Sequence, residues 1–137
     1  MATFKFELVS PERILFSGEI VSVIIPSAEG EMTVLAGHAP LVATLKTGIL
    51  LVQTSESNGK EFFVNGGLVE VNQTSTTVLA EQARFLEDVD ASVLEAEILT
   101  VETRIEGAHT EEDKKRLRET LVQLREFKHV FEGRKAA

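Results

Sequence analysis

The 137-residue chain carries 14 Lys and Arg against 22 Asp and Glu, for a formal net charge of -8, and it has no cysteine. This charge disfavours wholesale binding to nucleic acid or anionic lipid, which needs dense positive charge, and the lack of cysteine excludes disulfides and thiolate metal sites. No apolar run approaches the roughly 20 residues of a membrane span. The opening residues match neither a secretory signal nor a transit peptide, so we expect a soluble protein that stays where it is made.

Short alternating segments separated by turn residues fill the first part of the chain. They predict strands near residues 4–9, 14–16, 19–25, 49–53, 61–65, 68–71 and 76–80. We expect Ser17-Gly18 to separate two of these strands, Pro26 to end another, and Asn58-Gly59 to form a hairpin turn with positive φ. Strands at intervals of about ten residues with no helical window predict an antiparallel sandwich or flattened barrel.

The stretch from residue 30 to residue 48 is the centre of this pattern. Apolar residues alternate on both sides of the segment Ala36-Gly37-His38-Ala39-Pro40, which predicts two half-buried strands joined as a hairpin-like unit. Gly37 can take positive φ and Pro40 cannot donate a ladder hydrogen bond, so the chain should reverse here. A second reversal is expected at Asn65-Gly66-Gly67.

The hydrophobic period changes from strand to helix near Glu87. Two stripes at helical spacing follow, one over Leu94, Ile98, Val101 and Ile105, and the other over Leu117, Leu121, Leu124, Phe127 and Phe131. Asp90 and Thr110 are the expected N-caps, with Ser92 and Glu95 as a competing capping box, and Gly107 suits the left-handed position after the first helix. The fold class is therefore α+β: an antiparallel β-sandwich over residues 1–86, then an antiparallel two-helix hairpin over residues 87–137.

Charge is distributed unevenly between the two predicted helices. Residues 87–113 hold 1 Lys or Arg against 10 Asp and Glu, whereas residues 114–137 hold 8 against 3. Opposite charges beside the seam would attract, at about 0–1 kcal/mol for each exposed pair. The apolar stripes should therefore hold the hairpin together.

Few residues are candidates for chemistry. His38 could be a ligand or a general base, but a turn or interface histidine is favoured. Gly66-Gly67 could cradle a phosphate, although it opens no helix, and the acids at residues 87–90 could bind a cation but suit a helix start. The basic run could grip an acidic partner or nucleic acid, or form a solvated face paired with the first helix; it comprises Lys114, Lys115, Arg116 and Arg118. This inventory indicates an interaction protein.

Three segments resemble the epsilon subunit of the F-type ATP synthase. They are Phe16-Ser17-Gly18, the stretch from Glu29 to Gly48 with its Gly37-His38-Ala39-Pro40-Leu41 turn, and the stretch from Asn65 to Glu81 with its Gly-Gly-x-x-Glu-Val segment. The two-helix ending extends the resemblance to the whole chain.

The resemblance implies a noncatalytic rotor subunit that couples proton flow to ATP synthesis, with no cofactor. It places Gly37, His38, Ala39 and Pro40 on the surface that faces the gamma subunit, and Glu31 where the family meets the c-ring. It also implies that the basic second helix can reach the alpha and beta subunits of the catalytic head and hinder ATP hydrolysis. We expect no nucleic acid partner, and a place on the cytoplasmic face of a bacterial inner membrane, held there through the complex.

One departure from the family concerns ATP. Members that bind ATP carry an apolar residue, Asp, two variable residues and Arg-Ala at the start of the first helix. Here Asp90 remains, but Val93 replaces the arginine and Leu94 the alanine, so a charge-assisted bond to phosphate is lost. We predict weak or absent ATP binding.

Two other functions compete with the rotor subunit. One is a nucleotide- or anion-sensing module whose hairpin closes on its ligand, and the other is an enzyme built on His38 with Glu29 or Glu31.

Overall fold

A computed structural model describes residues 2–55 and 57–136, with side chains as far as residue 133. The chain folds as two compact units, Met1–Glu87 and Asp88–Ala137. The first is built from strands and the second from helices, so the α+β class is confirmed. In the described part of the chain, no helix is long and apolar enough to cross a membrane.

Eight strands form the first unit. They are β1 (Phe4–Val9), β2 (Ile14–Ile20), β3 (Ser22–Ser27), β4 (Gly30–Leu35), β5 (Leu41–Thr44), β6 (Gly48–Gln53), β7 (Gly59–Val71) and β8 (Ser75–Phe85). Seven lie in the order β2-β1-β8-β7-β6-β3-β4, and β5 pairs separately with β7. The pairs are antiparallel as predicted, except that β1 runs parallel to β8.

The long strand β7 changes partners halfway along its length. Residues 59–64 pair with β6, whereas residues 68–71 pair with β5. Between them, Gly67 has φ +120, and a Cβ at that position would lie 1.8 Å from the carbonyl oxygen of Leu79. Only glycine allows the backbones to approach so closely. The predicted reversal at Asn65-Gly66-Gly67 is therefore wrong, because the glycines redirect one continuous strand from one part of the sheet to another.

The apolar core lies between the parts of the sheet that this bend brings together. Phe6 and Leu8 of β1, Ile25 of β3, Leu50 of β6 and Phe62 of β7 are all fully buried in it. Each belongs to the inward set of its strand, as the period of two requires.

Two other turn predictions are also wrong, and a third is right about the hairpin but wrong about its φ angles. Ser17 and Gly18 lie inside β2, and Pro26 lies inside β3, where it pairs with Glu31 without donating. The β6–β7 hairpin is present, but neither Asn58 nor Gly59 has positive φ, because the connection is longer than a two-residue turn. Glu56, in the same predicted turn, lies outside the described residues.

The predicted hairpin around His38 is wrong as well. Strand β4 pairs with β3, and β5 pairs with β7, so the two strands flanking the corner do not pair with each other. Alternation fixed the strands and the corner correctly, but alternation carries no information about which neighbour a strand pairs with.

The second unit is the predicted helix hairpin, with α1 over Ala91–Gly107 and α2 over Glu111–Ala136. A single 3₁₀ turn, Leu86–Asp88, precedes it. Asp90 caps α1, since its Oδ1 accepts from the Val93 N–H at 2.9 Å, and the Thr110 Oγ1 accepts from the Asp113 N–H at 3.1 Å. Gly107 is wrong as a left-handed terminator: it is the last residue of α1, and Ala108 follows with φ -74.

The two stripes meet as predicted. Val101 of α1 is buried with Leu121 and Leu124 of α2, and the flanking partly buried residues are Ile98, Ile105 and Leu117. Ion pairs between described residues cross the seam from Arg125 to Glu102 at 3.2 Å and from Lys128 to Glu95 at 3.7 Å.

Candidate interaction surfaces

The corner between β4 and β5 is fixed by main-chain hydrogen bonds. Gly37, with φ +80, donates its N–H to the carbonyl of Gln73 in the β7–β8 turn at 3.2 Å, and His38 donates to the carbonyl of Leu35 at 3.2 Å. The His38 Nδ1 lies 2.8 Å from the carbonyl oxygen of Ala39, and since a carbonyl oxygen can only accept, Nδ1 is the donor of this hydrogen bond. A fixed loop with an accessible imidazole edge suits contact with a partner.

Exposure within the corner is consistent with that use. Gly37, Ala39 and Pro40 are exposed and His38 is half-buried. No group of three or more His, Asp or Glu side chains in the described part of the chain could hold a metal ion. The corner therefore offers shape and a few polar atoms to a neighbouring surface.

An apolar row continues from the corner across the outer face of the sheet. Cross-strand pairing puts Thr44, Leu68, Leu79, Val9 and Ile14 side by side on β5, β7, β8, β1 and β2. Ile14 is 62% exposed, Leu68 50% and Leu79 49%, and Val42, two residues from Thr44 on the same face of β5, is 70% exposed. Contiguous exposed apolar surface of this kind is typical of a protein interaction site. We call these residues, with Val42, the docking face.

An acidic row borders the docking face. Val42 pairs with Glu70, Glu70 with Thr77, and Thr77 with Glu7. The carboxylates of Glu70 on β7 and Glu7 on β1 thus stand on either side of β8, directly beside the apolar row. A partner that covered both rows would need an apolar strip edged by basic groups.

Glu31 lies at the far end of β4 from the corner. A two-residue connection between Ser27 and Gly30 joins β3 to β4, and the Ser27 Oγ donates to the carbonyl of Gly30. Glu31 is exposed at the start of the strand, on the sheet's edge. At about 3.4 Å per residue, the β4 backbone separates Glu31 from the corner by roughly 17 Å.

The basic run of α2 divides into paired and free charges. Lys114 lies 3.8 Å from Glu111, and Arg116 lies 3.2 Å from Asp113, both within the first turns of the same helix. Lys115 and Arg118 are exposed and form no ion pair with any described residue. The ion pairs to α1 come instead from Arg125 and Lys128, further along α2. The described residues 114–118 therefore do not form the face paired with the first helix that the sequence offered as an alternative.

Asp90, the residue that remains of the ATP-binding motif, caps α1. The Asp90 carboxylate accepts from the Val93 N–H at 2.9 Å and from the Ser92 hydroxyl at 2.7 Å. Val93, at the arginine position of the motif, is 38% exposed and has no hydrogen-bonding side chain. The helix start therefore binds its own backbone.

Comparison with known proteins bears on these surfaces. Residues 3–85 match the model of the ATP synthase delta/epsilon chain beta-sandwich domain. The ATP synthase epsilon chain of Sinorhizobium medicae is 43% identical over 122 residues, covering 89% of this chain and 90% of that protein. The epsilon chain of Parvibaculum lavamentivorans is 41% identical, covering 92% and 96%. This chain belongs to the ATP synthase epsilon chain family.

Solved structures agree on the fold. A chain of the Euglena gracilis mitochondrial ATP synthase, in a structure of its OSCP, F1 and c-ring parts, superposes with a TM-score of 0.72 at 22% identity and covers 97% of this chain and 81% of that one. A chain from the central stalk and c-ring of the Tetrahymena thermophila enzyme gives a TM-score of 0.53 at 13% identity, covering 69% and 72%. The family resemblance drawn from the sequence is confirmed, while the contact residues assigned to it stay predictions.

The docking face was missed at the level of sequence, although a signal for it exists. Several strands carry two adjacent apolar residues: Leu8-Val9, Leu68-Val69 and Val78-Leu79. Because neighbouring residues of a strand point to opposite faces, one residue of each pair must face outward. Only the pairing order shows that Val9, Leu68 and Leu79 then line up in one row.

Proposed function

We propose that the chain is the noncatalytic central-stalk subunit of an F-type ATP synthase, coupling proton translocation to ATP synthesis by joining the gamma subunit to the c-ring. The observation that carries this proposal is the docking face, an exposed apolar row on a well-packed β unit, beside a main-chain-fixed corner. Such a surface suits a lasting contact with another protein. The bacterial relatives support a place on the cytoplasmic face of the inner membrane, where the complex holds the chain.

The gamma subunit is the proposed partner of the corner and the docking face. Gly37, His38, Ala39 and Pro40 form one end of this surface, and Val42 continues it. Burying the exposed part of the apolar row would supply the driving force at about 25 cal/mol per Å². The polar corner would then fix the orientation of the partner.

The c-ring is the proposed partner of Glu31. A carboxylate on an exposed strand end is free to meet polar or basic groups of a loop. Its distance of roughly 17 Å from the corner along β4 lets the two partners bind without overlapping.

The helix hairpin is the proposed regulatory part. Lys115 and Arg118 offer free positive charge to acidic surfaces on the alpha and beta subunits of the catalytic head, whereas Lys114 and Arg116 would first have to leave their own partners. Inhibition of ATP hydrolysis by the hairpin should therefore depend more on Lys115 and Arg118 than on Lys114 and Arg116.

The test uses a catalytic head preparation that contains gamma and lacks this subunit. The full chain, the chain truncated after Leu86, and the double variant Lys115→Ala with Arg118→Ala are each added, and binding and ATP hydrolysis are measured. We expect all three to bind and only the unmodified full chain to slow hydrolysis strongly. Failure of every form to bind would refute the stalk assignment, and equal hydrolysis with all forms would reduce the hairpin to a structural brace.

A further inference from the structure

Strand β8 is longer than the strand that covers one of its sides. β1 pairs in parallel with the first half of β8, and the last pair is Val9 with Leu79. The chain then leaves in a tight turn, in which the N–H groups of Ser10 and Arg13 each donate to the other's carbonyl, at 2.9 and 3.3 Å. No described strand pairs with that side of β8 beyond Leu79, so an open sheet edge runs from there to the end of the strand.

A groove follows this open edge. One cavity of about 360 Å³ lies between the Ser10–Arg13 turn and residues 81–84 of β8. A second, of about 320 Å³, adjoins it towards Leu79 and is lined largely by apolar side chains. The two share Ser10, Pro11 and Glu81, so they form a continuous groove that is apolar at one end and polar at the other.

The polar end of the groove contains groups that lack partners. The Gln82 Oε1 is buried and accepts no hydrogen bond in the described structure, which is costly for an amide oxygen. The exposed guanidinium of Arg13 lies 5.5 Å from the centre of the Phe85 ring and pairs with no described carboxylate. A ligand here should bring a hydrogen-bond donor to Gln82 and an acid to Arg13.

A free anion fits this site poorly. Glu12 and Glu81 line the same cavity as Arg13 and Arg84, so the lining has no net positive charge to attract an anion. An extended peptide does not need such a charge, since its main-chain N–H groups can meet both Gln82 and the open carbonyls of β8. The apolar end of the groove also shares Val9 and Leu79 with the docking face, so one partner could cover both.

We propose that the open edge of β8 binds an extended segment of the gamma subunit as an added strand, with an apolar side chain near Leu79 and an acidic side chain near Arg13. This inference rests on the proposed function, which supplies the partner. The added strand would pair with β8 beyond Leu79, on the side where β1 ends at Val9. The sheet would then continue from this chain into its neighbour.

Hydrogen–deuterium exchange on the full chain tests the added strand. Exchange is compared for the free chain and for the chain bound to a catalytic head preparation that contains gamma. We expect the amides of residues 80–85 that are not bonded to β7 to exchange at least about tenfold more slowly in the complex. The variant Arg13→Glu should bind about two- to fivefold more weakly, whereas Lys60→Glu, an equal charge change at another exposed position, should bind normally.

Three results would overturn the added strand. Protection of the docking face with unchanged exchange at residues 80–85, together with normal binding by Arg13→Glu, would refute it while leaving the proposed function intact. Protection of residues 80–85 by millimolar inorganic phosphate in the absence of gamma would identify an anion site instead. Loss of all binding by the unmodified chain would refute the added strand and the proposed function together.

Discussion

Replacing Gly67 with alanine should destabilise the β unit severely. The residue has φ +120, and the added Cβ would lie 1.8 Å from the Leu79 carbonyl oxygen, far inside an ordinary contact of about 3.5–4.0 Å. Backbone strain of about 1–3 kcal/mol adds to about 1–3 kcal/mol for displacing the β7–β8 ladder. The sum, about 2–6 kcal/mol, is a large share of the roughly 4–13 kcal/mol expected for a unit of this size.

Urea unfolding of the full chain, followed by circular dichroism in the β-sheet region, measures this loss. Gly37→Ala is the matched control, because Gly37 also has positive φ, at +80, but a Cβ there meets nothing within 4 Å. Backbone strain alone should lower the free energy of unfolding of Gly37→Ala, by about 1–2 kcal/mol. Equal losses for the two variants would show that close approach to Leu79 does not set the bend, and would refute the reasoning.

Further substitutions test the surfaces and the helix start. Val42→Asp should weaken binding to the gamma-containing head at least about tenfold, because burial of an apolar side chain is replaced by desolvation of a charge, while circular dichroism stays unchanged; normal binding would remove β5 from the docking face. Asp90→Ala should destabilise the hairpin by about 0.5–2 kcal/mol, measured by helical ellipticity against temperature, with Leu99→Ala, at a position of α1 that is 65% exposed, as the comparison. Titration calorimetry of the full chain with ATP should give no micromolar binding, and micromolar heat would show that the Val93 departure does not abolish the site.

The sequence predicts local structure here better than it predicts pairing. Strands β1, β4, β5 and β6, the capping by Asp90 and Thr110, and the stripe of Leu121 and Leu124 each depend on neighbours a few residues away, and each is confirmed. The predicted hairpin at His38 failed because β4 and β5 pair with strands distant in sequence. The turn expected at Gly66-Gly67 failed because glycine allows a bend within a strand as readily as a reversal between strands.

The candidate surfaces also differ in whether they depend on local sequence or on strand pairing. The corner at His38 and the exposed Glu31 lie within short motifs, so they are visible in the sequence. The docking face and the open edge of β8 depend on which strands stand beside each other and on where β1 ends. No local pattern contains that information, because both depend on the pairing of β1 with β8, two strands from opposite ends of the β unit, as in the pair of Val9 with Leu79.

The position of Glu31 and His38 at opposite ends of β4 has a mechanical consequence. Six residue pairs join β4 to β3, from Ser22 with Leu35 to Ser27 with Gly30, and antiparallel hydrogen bonds lie perpendicular to the strands. A pull between the two ends of β4 therefore runs along an already extended covalent backbone, while these bonds hold the strand in place beside β3. A hairpin pulled open from one end yields bond by bond, whereas a strand pulled at its two ends hardly lengthens, a property that would suit the proposed link between the gamma subunit and the c-ring.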